Sequence, residues 1–334
     1  MRHVLRLCLV AWILIASTAS ADERADLVAE TRSDLAEANA EIARLEKALR
    51  GARGREKAEL GWKTARALRA RARLHYVLAA EGADGDPAGA LASPAVKADL
   101  DRSIELLTGL AAEHPKWDKA PEALLTAGLV MREAGRYDEM LSTFSTLKRR
   151  YPRSDSVDRA LLVCGDYYFD RSELERAGRF YREVVDRPGE AFDAPARYKL
   201  AWIAVNRRDF EKALSLFEKV ALQRTPTPPV DTFMGVGPRV DLRQEAINDL
   251  TYCYTEVRKP EDAFAFFDRF ALEPAEAARV YTRLANRYFI LDRPQAALPI
   301  YRRLLELPGD AEQKREWQER IRELETRIRD GSAP

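Results

Sequence analysis

"AWIAVNRRDFEKALSLFEKV", residues 201–220, writes two apolar stripes on either side of a polar turn. Ala213, Phe217 and Val220 fall at i, i+4 and i+7, one face of a helix. Ala201 stands twelve residues ahead of Ala213, on the helix before the turn. The same triplet recurs upstream as Ala177/Tyr181/Val184, Met140/Phe144/Leu147 and Ser103/Leu107/Leu110, and downstream as Ala263/Phe267/Phe270 and Ala297/Tyr301/Leu304. Successive offsets from Ser103 are 37, 37, 36, 50 and 34 residues, a period that marks a repeat array.

Each second helix has a partner before it. Gly128, Gly165, Ala201 and Ala285 each stand twelve residues ahead of a triplet, where a small residue lets two helices approach closely. Pro115, Pro152 and Pro188 end units, because proline cannot continue a helix. The spacing predicts an all-α fold.

In "RRYPRSDSVDRALLVCGDYYFDRSELERAGRFYREVV", residues 149–185, the small residue, the turn, the Ala-x3-aromatic step and the flanking proline resemble the tetratricopeptide repeat. The similarity covers residues 97–309 and is nearest to bacterial envelope repeat proteins of the BamD and CpoB type. The lipid-attachment cysteine of the first type is missing. The resemblance implies a right-handed superhelix of about five to six helix pairs that serves as a non-enzymatic scaffold.

Outside the array, Arg2, His3 and Arg6 precede an apolar run, Leu7–Ala16, and "STASA" then offers a small-x-small exit. That order predicts a cleavable signal peptide, residues 1–21, and hence a periplasmic or secreted protein. A run of about ten apolar residues is too short to span a bilayer, so no transmembrane segment is expected after cleavage. Without Arg2 and Arg6 the chain has 53 basic and 54 acidic residues, a balance that gives no support to a nucleic-acid partner. Cys164 and Cys253 fall on apolar helix faces and read as buried thiols.

Residues 22–80 are expected to form a long helix or coiled-coil segment. Val28, Leu35, Ile42 and Leu49 are seven apart, with Thr31, Ala38 and Leu45 between them. This seam suits pairing with another helix along its length, or an isolated amphipathic helix; the resemblance to CpoB-type proteins implies a homo-oligomer through residues 22–50. Arg44–Arg73 holds eleven cations against Glu46, Glu56 and Glu59, read as a surface for an acidic polymer, a membrane or an acidic partner, or as a solvated helix face whose counter-charges the fold supplies. Residues 81–96 read as a linker. An insertion at 222–241, rich in proline and glycine, offers Phe233 and Met234 as an apolar tip or packs on its own repeat. Trp317, Ile321, Leu324 and Ile328 predict a C-terminal capping helix within 310–334.

Neither His75 nor His114 sits in a metal or nucleophile motif, and no phosphate-binding glycine loop is written. No enzyme, cofactor or metal is therefore expected; the rival readings are a structural coiled-coil oligomer and a peptidoglycan- or polysaccharide-acting enzyme. First helices line the concave side of such arrays. That places Arg159, Asp166, Phe169, Asp170, Tyr198, Trp202, Asn206, Asn248, Tyr252, Asn286 and Phe289 in a groove for a peptide or helix of another envelope protein.

Overall fold

A computed structural model describes residues 21–82, 86–187, 191–223, 231–232, 235–236 and 241–331. The signal segment through residue 20, and Phe233 and Met234, lie outside the described residues. The helices are α1 (Ala21–Gly51), α2 (Gly54–Gly82), α3 (Pro87–Leu91), α4 (Pro94–Glu113), α5 (Ala120–Glu133), α6 (Tyr137–Arg150), α7 (Asp155–Asp170), α8 (Leu174–Val185), α9 (Asp193–Asn206) and α10 (Phe210–Leu222). After a two-stranded antiparallel ribbon, β1 (Asp231–Thr232) and β2 (Gly235–Val236), come α11 (Leu242–Val257), α12 (Ala263–Asp268), α13 (Pro274–Ile290), α14 (Pro294–Leu304) and α15 (Ala311–Arg329). The fold is all-α, as the spacing predicts. The ribbon inside the insertion is the departure.

The chain divides into two compact units: one runs through Cys164 and takes in 229–239, the other comprises Gly165–Pro228 and Val240–Pro334. Among the described residues six helix pairs recur: α2/α4, α5/α6, α7/α8, α9/α10, α11/α12 and α13/α14. The small residue is where each pair closes. A methyl added at Gly128 would overlap the Phe144 ring, and one at Gly165 the Tyr181 ring. Ala201 and Ala285 are fully buried in the same slot, within the core that also holds Phe217 and Tyr301 of the facing helices.

The turn inside a pair is also repeated. Gly135, Ser172, Arg208 and Asp292, each seven residues past the small residue, have φ of 72°, 61°, 59° and 53°. The N–H that follows reaches the carbonyl five residues back: Arg136 to Met131 at 2.8 Å, and Glu173 to Tyr168, Asp209 to Ala204 and Arg293 to Tyr288 at 2.9 Å. A left-handed residue after the helix end is what this closure requires. The α11/α12 pair lacks it. Lys259, held extended before Pro260, diverts the chain into a short 3-10 turn, and α12 is correspondingly brief.

Two expected boundaries move. Helix pairing begins before residue 97, because α4 packs on α2: a Cβ on Gly61 would lie 2.9 Å from Leu110, and the Ser103 hydroxyl donates to the Ala65 carbonyl at 2.9 Å. The expected linker 81–96 contains α3, capped by Asp86, whose carboxylate accepts from the Ala88 and Gly89 amides. The heptad seam of α1 faces α2 of the same chain, with Thr31 and Ile42 buried at their contact. Two arginines of the basic stretch are drawn inward. Arg69 pairs with Glu133 of α5, and Arg71 with Asp99 of α4, while Arg71 Nη1 donates to Asn39 of α1 at 2.9 Å. For these two the fold supplies the counter-charge.

At the C-terminus α15 is capped by Asp310 and lays Trp317 and Leu324 into the core beside α14. No helix among the described residues is long and apolar enough to cross a membrane.

Candidate functional site

The predicted groove residues sit on the first helices of the pairs. Arg159 belongs to the first unit, where it is half-buried and already bonded. The others belong to the second unit, on the last turn of α7 and on α9, α11 and α13.

Tyr198 and Trp202, one turn apart on α9, both set an edge against Phe217, at 5.5 and 6.0 Å between ring centroids. Both stay half-buried, one side packed on the repeat core. The Tyr198 hydroxyl donates to Asp249 Oδ2 at 2.7 Å, tying α9 to α11, and Trp202 bonds the same carboxylate. Burial raises the Asp249 carboxyl above its ordinary range, against the lowering effect of the Tyr198 bond. Burial likewise pushes the Tyr198 phenol well up. The pair of rings is thus fixed from behind by Phe217 and from the side by Asp249.

Amides flank this platform. Asn206 is exposed and donates to the Trp202 carbonyl at 2.8 Å; Asn248 is half-buried and accepts from Gln244 at 3.3 Å. Each keeps polar atoms for a further bond. Asp170 and Glu245 are exposed on the first helices nearby in the chain.

Other members of the predicted set already have internal roles. Asp166 accepts from the buried Tyr181 hydroxyl at 2.7 Å and pairs with Lys199 at 3.2 Å, while the same Lys199 lies 5.0 Å above the Phe169 ring. Asn286 accepts from the Tyr301 hydroxyl, fifteen residues on, as Asp166 does from Tyr181. These two satisfy phenols that burial would otherwise strand; burial holds the Tyr301 phenol at about 12. Tyr252 lies beneath Arg287, 4.3 Å from its ring centroid, and Arg287 pairs with Glu256 at 2.8 Å. Phe289 is covered by Arg320 and Arg327 of α15, at 4.4 and 4.8 Å. The open part of the face is therefore narrower than the sequence predicts: it centres on Tyr198, Trp202, Asn206 and Asn248.

Asp249, the residue that sets this platform, was not predicted. One carboxylate among 54 acidic residues carries no signal until its neighbours across α9 are known. Cys164 and Cys253 are buried free thiols, and burial pushes Cys253 up to about 12. Among the described residues no group of three His, Cys, Asp or Glu side chains has the geometry to hold a metal ion.

Comparison with known proteins adds the following. Residues 122–154, which form α5, α6 and the turn after them, match the tetratricopeptide repeat family. A stretch of 94 residues is 31% identical to mouse (Mus musculus) aspartyl/asparaginyl beta-hydroxylase, over 28% of this chain and 12% of that protein. The chain thus spans a small part of that relative. Among solved structures, the nearly identical kinesin light chain repeats of Podosopora anserina give a TM-score of 0.35 at 13% identity, covering 63% of this chain and 95% of that one. The Pseudomonas aeruginosa pilF structure gives 0.36 at 16%, covering 75% and 98%. Similarities at this level carry no argument about function. The matched unit, with Gly128 against Phe144 and a left-handed Gly135, has counterparts in α7/α8, α9/α10 and α13/α14. Residues 122–154 thus carry a tetratricopeptide repeat, and the same small-residue contact or left-handed turn recurs in the three pairs named.

Proposed function

We propose that this chain is a non-enzymatic scaffold of the cell envelope, exported by its N-terminal segment and holding a partner protein on the first-helix face of its second unit. The repeat architecture itself serves protein–protein interaction. The observation that carries the finer reading is the half-buried Tyr198–Trp202 pair, locked by Phe217 and Asp249 and flanked by Asn206 and Asn248. Rigid rings offer contact area at little entropic loss, and amides pair with the backbone of an extended peptide or the end of a helix. The envelope setting, in the manner of BamD- and CpoB-type proteins, rests on the basic start, apolar centre and small-x-small exit of residues 1–21. Outer-membrane assembly, cell-division coordination and gliding-motility machinery are the processes this class suggests.

The test is crosslinking in cells followed by identification of captured proteins, comparing wild type with Trp202→Ala. Loss of a half-buried anchor ring typically weakens an interface by about 2 kcal/mol or more, so at least one specific partner should fall roughly thirtyfold in capture. Equal capture by both proteins would remove the groove reading.

A further inference from the structure

Three interhelical turns of the first unit meet on one rim, and together they gather arginine. The α1–α2 turn approaches the α4–α5 turn: Arg55 lies 3.4 Å from Asp118, and Lys57 2.6 Å from Glu113. The α4–α5 turn in its turn touches the end of α6, where the Tyr151 hydroxyl donates to the Pro115 carbonyl at 2.9 Å. Exposed on these three turns are Arg50, Arg53, Lys116, Arg149, Arg150 and Arg153, which hold no ion pair among the described residues. The two acidic side chains at the middle of the rim, Glu113 and Asp118, already face Lys57 and Arg55. Between them opens a cleft of about 680 Å³ with His114, Lys116 and Trp117 in its wall.

This arrangement does not follow from the basic composition of residues 44–73 alone. The inner part of that stretch, Arg69 and Arg71, is used up in pairs with Glu133 and Asp99. The outer part joins cations from residues 116 and 149–153 that are far away in sequence. With neighbouring helices about 8–10 Å apart, these cations form a front along the rim: Arg50, Arg53, Arg149, Arg150 and Arg153 stand outside the cleft, and of the six Lys116 alone lines it. A front of arginines suits many oxyanions laid out in a plane, because each guanidinium can bind phosphate through two parallel hydrogen bonds. A single acidic peptide seated in the cleft would meet Arg55 and Lys116 and leave the five outer arginines unused.

We propose that this rim docks on an anionic phospholipid surface, placing the first unit against a bilayer through headgroup phosphates. Basic residues near such a surface contribute about 1 kcal/mol each, an attraction that fades within a Debye length.

The experiment is partitioning of the full-length protein onto vesicles of phosphatidylcholine alone and of phosphatidylcholine with a minor fraction of phosphatidylglycerol. Residues 1–20 are common to every arm, so whatever they add to binding cancels. Wild type should partition at least about tenfold better onto the anionic vesicles, with the preference lost as salt shortens the Debye length from about 10 Å at 0.1 M to about 3 Å at 1 M. The triple variant Arg149→Gln, Arg150→Gln, Arg153→Gln should lose most of it, by about tenfold to a hundredfold. A control that removes the same charge from the second unit, Arg208→Gln, Lys212→Gln, Lys219→Gln, should keep it. Circular dichroism confirms that each variant is folded. Equal partitioning onto both vesicle types overturns the proposal, as does an equal loss in the control. Displacement from the vesicles by polyglutamate at matched charge concentration would overturn it in favour of an acidic protein segment.

Discussion

Arg208 shows how a single backbone angle is shared by side chains that have nothing else in common. It holds φ at 59° where Gly135 holds 72° in the matched repeat, although a Cβ makes that region unfavourable by roughly 1–2 kcal/mol. Arg208 is exposed, so Arg208→Gly should raise stability by about 0.5–1 kcal/mol, after allowance for the extra freedom glycine gives the unfolded chain. Chemical denaturation would read this as a higher midpoint at unchanged slope. Asp249 makes a prediction with a pH sign. Its carboxyl is raised in the folded state, so between its ordinary value near 3.8 and its folded value the native protein binds more protons than the unfolded chain. Stability contributed by this site therefore falls as pH rises through that window. Asp249→Asn keeps an acceptor for the Tyr198 hydroxyl and removes the titration. The variant should gain on wild type in denaturation midpoint from about pH 4 toward neutrality, and a constant difference across that range would refute the assignment.

At the scale of elements, first helices of successive pairs are joined by polar ties as well as by apolar packing. In the second unit the tie is Tyr198 to Asp249, between α9 and α11. In the first it is Arg69 to Glu133, between α2 and α5, with both side chains nearly buried at 10% and 3% exposure and Arg69 Nε donating at 3.0 Å. Breaking a buried pair from one side strands a charge. Glu133→Gln should accordingly lose about 3 kcal/mol or more, whereas Arg69→Met with Glu133→Leu should come close to wild type. Thermal unfolding of wild type, Arg69→Met, Glu133→Leu and the double variant closes the double-mutant cycle; additive losses would mean that the two side chains do not act as a pair. The α1–α2 contact belongs at this scale too. A seven-residue seam states that a helix wants a long partner, and here α2 supplies it from within the chain.

For the whole molecule, a stack of pairs needs an end that water accepts. Helix α15 provides it, with Trp317 at 3% exposure against the last pair and a charged outer side. Trp317→Ala should lose about 3–5 kcal/mol and uncover the apolar side of α14, which carries the buried Ile300, Tyr301 and Leu304. The expected readout is a lower unfolding midpoint together with concentration-dependent association. A variant that stays monomeric with unaltered stability would show that α15 is not the cap.

Most of the architecture was legible because a helix pair is a local object. The triplets, the small residue twelve positions before four of them, and the closing prolines specify helix, turn and contact within some forty residues, and four of the six helix pairs are read directly from Gly128, Gly165, Ala201, Ala285 and their aromatic partners. The seam of α1 and the stripe of α15 were legible for the same reason, as apolar periodicities with polar backs. Long-range pairing was not. Asn286 and Asp166 look like groove residues until Tyr301 and Tyr181 are seen to need them, and Phe289 looks open until α15 folds its arginines over it. Asp249 and the arginine rim emerge only when separate helices are brought side by side. Side-chain periodicity encodes which face of a helix is buried, and a short stretch of chain carries that information by itself. Which hydroxyl meets which carboxylate, and which cations share a surface, depends on distances between segments far apart in sequence, and those are set by the packing of the folded chain.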